Sequence, residues 1–126
     1  MSTFVRLIVA FIVFMHGLVH AMYFFVYWPL VHWEDPPYKT TLLWDRWDVG
    51  PTGIRLIGVL NLVATVGFIA AAVGLALLSE WWPPVMVASA VLSLILTLLD
   101  FKAAYGGPVV DVILLVLVYF APRWDW

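Results

Sequence analysis

The side chains best suited to chemistry lie on one face of the first predicted helix. At about 100° per residue, His16, His20, Tyr23 and Tyr27 fall within about 60° of one another. Two imidazoles four residues apart have the spacing of two ligands on one helical face, which suits zinc, copper or the edge of a haem. The same stripe could form a structural hydrogen-bonded pair, contact a quinone or handle protons. The spacing leaves these alternatives open, and two ligands do not complete a metal site, so none is assigned.

Polar side chains recur on one face of each remaining predicted helix. Asn61 and Thr65 share a face of the second helix with small residues that let helices approach closely. The polar face of the third carries Ser89, Ser93, Thr97 and Asp100, and the fourth contributes Asp111. A lipid-facing imidazole would lack a hydrogen-bond partner, at a cost on the order of 2 kcal/mol or more. We therefore expect His16 and His20 to point into the bundle, with Asn61 and Ser93 as partners at similar depth.

Four ionisable residues lie toward the same predicted membrane face and are candidates for a buried charge cluster: Arg55, Asp100, Lys102 and Asp111. Ionisable groups within spans cost free energy and usually face partners or water. Asp100 and Asp111 could carry protons or cations, and helix ends that are ion-paired with Lys102 or Arg55 are the structural alternative. A place in the first turn of the fourth helix would favour Asp111 by roughly 0.3–1 kcal/mol through the helix dipole.

The elements that position these residues are predicted from the lengths of the apolar runs. Spanning helices need about 20 mostly apolar residues, and the runs cover about 4–30, 53–78, 84–105 and 108–121. Hydrophobic residues make up 65% of the 126 and charged residues 11%, which a soluble fold this small could not accommodate. The sequence predicts one all-α membrane domain over residues 1–126, a four-transmembrane-helix bundle. The first run has no small-residue cleavage site and is interpreted as a retained span.

The tryptophans support this topology, because Trp prefers the membrane–water interface. Four lie in the first connection, namely Trp28, Trp33, Trp44 and Trp47. The others lie at the second connection and the C-terminus, namely Trp81, Trp82, Trp124 and Trp126. Four spans place the two groups on opposite faces. The basic residues are Lys39, Arg46, Arg55 and Lys102 on the loop-one face against Arg6 and Arg123 on the other. The positive-inside rule thus favours a cytoplasmic loop one, by a margin that leaves orientation open.

The fourth predicted helix is short for a membrane span. At 1.5 Å per residue it reaches only about 20 Å, against a hydrocarbon core of about 30 Å. Either the bilayer thins there or the Gly106-Gly107-Pro108 turn lies below the interface. Non-helical backbone at that depth must be covered by protein or water. We therefore expect a recessed polar pocket on the side of loops one and three.

Composition also narrows the function. The chain has no cysteine, which removes disulfides, thiolate metal sites and iron–sulfur clusters. The net charge of −2, without a basic run, argues against a nucleic-acid partner. The sequence carries no phosphate loop, HExxH motif or nucleophile elbow. These observations favour a non-enzymatic role.

The first two helices resemble a known family. Arg6 is followed by His16-Gly17-Leu18-Val19-His20, and residues 53–60 lead into a Gly/Ala-rich stretch. This pattern resembles the DoxX-like superfamily of small four-helix bacterial and archaeal membrane proteins, with histidine at His20 where lysine is usual. The resemblance implies a prokaryotic cytoplasmic membrane location. It also implies an accessory membrane subunit of an oxidoreductase, thiosulfate–quinone systems included.

Three functions remain open from the sequence. The first is a membrane accessory subunit whose helices and aromatic loop pack against a larger complex or against copies of the same chain. The second is a small redox component that binds quinone, haem or a metal through His16 and His20, with Tyr23 and Asn61 as further ligand or cofactor candidates. The third is a proton- or cation-coupled transporter with Asp100 or Asp111 as the coupling carboxylate.

The segment Leu42–Asp48 is predicted to lie along the membrane surface. Leu42, Leu43, Trp44 and Trp47 give it an apolar side, and the charged residues between them face water, as in interfacial helices. Spin labels at positions 44 and 47 in bilayers should report an intermediate depth. Full aqueous accessibility of both labels would contradict the prediction.

Overall fold

Four helices and one small hairpin make up the fold. The computed structural model describes residues 2–121, in the order α1 (Thr3–Tyr27), β1 (Thr41–Leu42), β2 (Trp47–Asp48), α2 (Gly50–Ala76), α3 (Trp82–Leu99) and α4 (Gly107–Phe120). Helices α1, α2 and α3 are long and apolar enough to cross a membrane, and α4 is a shorter apolar helix of 14 residues. Arg123, Trp124 and Trp126, which the topology argument used, lie outside the described residues.

Prolines and loop contacts determine where the helices begin and end. α2, α3 and α4 each have proline in the first turn, where its missing N–H has no intrahelical partner to lose. α1 ends at Tyr27 rather than near residue 30, because Pro29 cannot donate to the helix and disfavours helical backbone before it. α3 ends at Leu99 rather than near residue 105. The Leu99 carbonyl accepts a hydrogen bond from Leu43 N–H, 2.8 Å away in loop one.

The helices pack in chain order, α1 on α2, α2 on α3 and α3 on α4. α1 and α2 approach closely at Gly17, whose carbonyl accepts a hydrogen bond from Thr65 Oγ1 at 2.8 Å. A Cβ atom on Gly17 would lie 3.0 Å from Phe68 Cβ. Below this contact, toward the α2–α3 connection, the core is apolar and includes fully buried Val13, Phe68 and Met86. A small residue of α1 permits this contact, and the small residues predicted on the second helix permit the approach of α3, since a Cβ atom on Gly67 would lie 2.2 Å from Ser89 Oγ.

Loop one folds onto the turn between α3 and α4. Its hairpin pairs Thr41 with Asp48 and Leu42 with Trp47 in antiparallel register. Asp45, in the hairpin turn, forms an ion pair with Lys102, and hydrogen bonding to Lys102 lowers the pKa of the Asp45 carboxyl. The two loops therefore cover the same end of the bundle.

The predicted interfacial segment is this hairpin rather than a helix. Its apolar residues divide, since Leu42 is fully buried beneath the hairpin whereas Leu43, Trp44 and Trp47 are exposed. The exposed side chains remain available to contact the membrane interface. At the opposite end of the bundle, Trp82 also departs from the interfacial expectation, because it is buried in the core at the start of α3.

Adjacent glycines at the start of α4 provide a matched test of the packing. A Cβ atom on Gly107 would lie 2.4 Å from Thr97 Cγ2 and 2.9 Å from Thr97 Cβ, whereas one on Gly106 would meet nothing within 4 Å. We expect Gly107→Ala to lower the free energy of unfolding by about 1–3 kcal/mol through overpacking. Gly106→Ala should leave it unchanged or raise it by up to about 1 kcal/mol. Reversible unfolding in mixed micelles measures both, and equal stability of the two variants would contradict this packing.

Candidate functional site

A fully buried carboxyl group lies at the centre of the bundle. Asp111 of α4 has no exposed surface, and its Oδ1 is 2.9 Å from His16 Nε2 on α1. Its Oδ2 accepts a hydrogen bond from Ser93 Oγ of α3 at 2.7 Å, and Thr97 Oγ1 lies 3.5 Å from the same oxygen. Two helices, α1 and α3, thus direct polar groups at the acid of α4, as a buried charge or acid requires.

His20 connects the same network to α2. Its Nδ1 is 2.7 Å from Asn61 Oδ1, and its Nε2 is 2.7 Å from Ser93 Oγ. His20 is buried, and His16 is mostly buried. The prediction that both imidazoles point inward is confirmed, including Asn61 and Ser93 as partners at matching depth.

Helical spacing and one aromatic ring hold the two imidazoles in place. The His16 and His20 rings meet edge to face with centroids 5.3 Å apart. Phe68 of α2 packs against both, edge-on to His16 at 4.8 Å and stacked on His20 at 5.8 Å. Sequence reasoning missed Phe68. Its position three residues after Thr65, on the polar face of α2, is the signal that could have identified it.

A cavity of about 430 Å³ adjoins this network between α1, the start of α4 and the loops. His16, His20 and Thr97 contribute its polar inner wall, and Val19 and Val110 are among its apolar lining residues. Asp35 and Pro36 of loop one, with residues 103–107, complete the lining. The cavity lies on the predicted side, that of loops one and three, but its lining is largely apolar rather than polar. Its volume lies within the roughly 300–1,000 Å³ typical of ligand sites.

A second polar group lies near the loop end of the bundle. The Tyr27 hydroxyl donates a hydrogen bond to Asp100 Oδ2, and both side chains are buried. Lys39 Nζ lies 2.6 Å from Asp100 Oδ1, as an ion pair without the geometry of a directed hydrogen bond. Tyr23, which lines the cavity, donates to the Ala103 carbonyl at 3.1 Å. This group ties α1, loop one and the end of α3 together.

The four residues proposed as one buried charge cluster do not meet. Asp100 and Asp111 are buried, but Asp100 pairs with Lys39, and the partners of Asp111 are polar residues of α1 and α3. Lys102 is exposed and pairs with Asp45. Arg55 is also exposed and lies over the Trp28 ring, 5.3 Å from its centroid. The prediction failed because loop one supplies the cation for Asp100, which helical periodicity cannot show.

The helix-dipole explanation for Asp111 is also corrected. α4 begins at Gly107, so Asp111 is its fifth residue and no acidic side chain lies in the first turn. The carboxyl group points into the bundle rather than capping backbone N–H groups. Its position is explained by the hydrogen bonds of His16 and Ser93.

Metal or haem ligation does not match the hydrogen bonding of His20. Both its ring nitrogens face hydrogen-bond partners, so ligation through either would break a contact with Asn61 or Ser93. Within residues 2–121, no group of three or more His, Cys, Asp or Glu side chains is arranged to hold a metal ion. The arrangement is suited instead to hydrogen bonding and to moving protons at the cavity wall.

Comparisons with protein-family models, curated proteins and solved structures give no match for this chain.

Substitutions of Asp111 should separate hydrogen bonding from charge. In Asp111→Asn the amide oxygen can accept from His16 and the amide nitrogen can donate to Ser93, so we expect a loss of less than about 1 kcal/mol. Asp111→Leu is similar in size but removes the hydrogen bonds that His16 and Ser93 make to the carboxyl group, which should cost at least about 1–3 kcal/mol, although Ser93 keeps its contact with His20. Equilibrium unfolding in mixed micelles provides the comparison. Equal destabilisation by both substitutions would show that hydrogen bonding does not determine the stability of this site.

Proposed function

We propose that this protein is a small integral membrane subunit of four spanning helices that binds a quinone in the cavity beside His16 and His20. The observation that carries the proposal is the cavity wall itself. Two imidazoles, backed by a buried carboxyl group, line a recess that is otherwise largely apolar. Quinones combine a flat apolar ring with two oxygens that accept hydrogen bonds and take up protons on reduction, which matches such a wall.

The outer surface of the bundle supports the membrane assignment. Large apolar side chains are exposed along every helix, among them Phe11, Leu56, Val66, Ile95 and Val112. Soluble monomers rarely expose contiguous apolar patches on this scale. α4 is apolar and packs against α3, which supports placing it in the same bilayer as the three longer helices.

The apolar core at the α2–α3 end of the bundle favours binding of a ligand over coupled transport. A coupled transporter needs a polar route that can reach both membrane faces. Beyond His16, toward the α2–α3 connection, α1 contributes Val13 and Ala10 to a tightly packed core with Phe68, Leu75 and Met86. Of the two acids considered for coupling, Asp100 is already ion-paired with Lys39. The site is thus open toward one end of the bundle and closed toward the other.

An accessory role explains where the electrons for a quinone would come from. The chain has no cysteine to hold an iron–sulfur cluster, so this proposal assigns the electron donor to a partner oxidoreductase subunit. The chain contributes the hydrogen-bonding wall and the membrane-embedded pocket. The resemblance of about the first 80 residues, mainly the first two helices, to the DoxX-like superfamily, with its oxidoreductase accessory subunits, is in keeping with the same assignment.

Binding of a short-tailed benzoquinone or naphthoquinone to the purified protein in detergent tests the proposal. We expect saturable heat release in calorimetry and a rise in thermal midpoint that grows with ligand concentration, since a ligand at 100 times its Kd stabilises the folded state by about 2.7 kcal/mol. Val110→Trp should fill the cavity and abolish both signals. Val109→Trp is the matched control, because Val109 is the neighbouring residue, its side chain is 63% exposed, and it is not part of the cavity lining.

Two results would overturn the assignment. Equal signals from wild type and both tryptophan variants would mean that the quinone only partitions into the micelle. A Soret band in the absorption spectrum of the purified protein, lost in His16→Ala but retained in His32→Ala, would favour haem binding instead. His32 serves as the control because it is an exposed loop residue.

A further inference from the structure

Ser93 lies between two groups that both require its one hydroxyl hydrogen. Its Oγ is 2.7 Å from Asp111 Oδ2 and 2.7 Å from His20 Nε2. A serine hydroxyl has one hydrogen to donate and two lone pairs with which to accept. Ser93 can therefore donate to only one neighbour, and the other must carry a hydrogen on the atom that faces Ser93.

The opposite side of His20 fixes which of its nitrogens is already protonated. Asn61 Nδ2 donates to the Ile57 carbonyl at 2.9 Å, which orients the amide so that Oδ1 faces His20 Nδ1 at 2.7 Å. A carbonyl oxygen only accepts, so His20 Nδ1 carries a hydrogen. His20 is then neutral if its Nε2 accepts from Ser93, and an imidazolium if its Nε2 donates to Ser93.

We propose that Asp111, Ser93 and His20 form a proton relay. Besides the hydrogen on His20 Nδ1, which faces Asn61, and the hydroxyl hydrogen of Ser93, the three groups share one further proton. In the first form, Asp111 is a carboxylic acid whose Oδ2–H donates to Ser93, and Ser93 donates to His20 Nε2. In the second form, the Oδ2–H bond has broken and that hydrogen is bonded to Ser93 Oγ. The hydrogen formerly on Ser93 is now bonded to His20 Nε2.

The transfer balances without another reactant. The first form contains a neutral acid, a hydroxyl and a neutral imidazole, and the second contains a carboxylate, a hydroxyl and an imidazolium. The three groups have no net charge in either form, and only the first avoids placing charges in a dry bundle. His16 is the other titratable group that faces the relay, and its Nε2–H can donate to Asp111 Oδ1 at 2.9 Å in both forms.

The relay reaches the cavity through both imidazoles. His16 and His20 line the cavity, and Asp111 lies behind them without exposed surface. The use of the relay in protonating a bound quinone rests on the proposed function. The number of protons that the three groups hold does not depend on it. Ser93 is a positioning residue in this scheme, because it acts through His20 and Asp111 rather than on the ligand.

Spectroscopy of the full chain without quinone tests whether Asp111, Ser93 and His20 share this additional proton. In the first form, infrared spectroscopy should show the carbonyl stretch of a protonated carboxylic acid that shifts in deuterium oxide and is lost in Asp111→Asn. In the second form, imidazole nitrogen NMR should show His20 protonated on both nitrogens. An ionised Asp111 beside a neutral His20 would overturn the proposal. Because no ligand is present, failure of quinone binding and failure of the relay are separate results.

Substitutions of two serines on one face of α3 test whether Asp111 and His20 are coupled through Ser93. Ser93→Ala should move the Asp111 carboxyl band and the His20 nitrogen signals together, and Ser93→Thr should restore them. Ser89→Ala is the matched control, because Ser89 is buried one turn away and its hydroxyl is outside the network. Unchanged signals in a folded Ser93→Ala protein would overturn the relay. If that variant does not fold, Asp111→Asn should instead leave His20 neutral, and an imidazolium there would overturn the relay.

Discussion

A carboxyl group removed from water must have both oxygens satisfied by hydrogen bonds, and the packing of this bundle depends on meeting that requirement at Asp111. A buried acid without partners would cost several kcal/mol (about 1–3 for each lost hydrogen bond). His16 and Ser93 meet the need only if α1 and α3 turn their polar faces toward the same point as α4. His20 then extends the contact to Asn61 on α2. One side chain thereby fixes the rotation of all four helices.

Much of this site could be predicted from the face of the helix on which each residue lies and from its position along the helix. His16 and His20 share a face of α1, and Asn61 and Ser93 lie at corresponding depths in their own helices, so their meeting required only an antiparallel bundle. The contact between Asp111 and His16 could not be read in this way. It depends on the first turn of α4 passing close to Thr97, which Gly107 permits, and a local sequence pattern does not give the separation between two helices.

Charges in and around the loops were less predictable than polar residues inside the helices. Asp100 was expected to pair with Lys102 or Arg55, yet its cation is Lys39, because loop one folds back over the end of α3. Lys102 instead meets Asp45 in the hairpin. Loop conformation determines these partners, and twenty irregular residues have many conformations with similar local preferences. Helix ends shifted for a related reason, since the carbonyl of Leu99 is satisfied by Leu43 rather than by a further turn.

The apolar core beneath the imidazoles has a consequence for energy conversion. Val13, Phe68 and Met86 separate the site from one end of the bundle, so the proposed relay would exchange protons through the other end only. The shift between Asp111 and His20 passes through one hydroxyl, over two contacts of 2.7 Å, and leaves the net charge of the group unchanged. A membrane potential does work only on charge that moves through its field, about 2.3 kcal/mol per elementary charge per 100 mV across the full bilayer. The proposed proton shift would cover only these two short contacts and would cross a small part of that field, so the relay itself would respond weakly to the membrane potential.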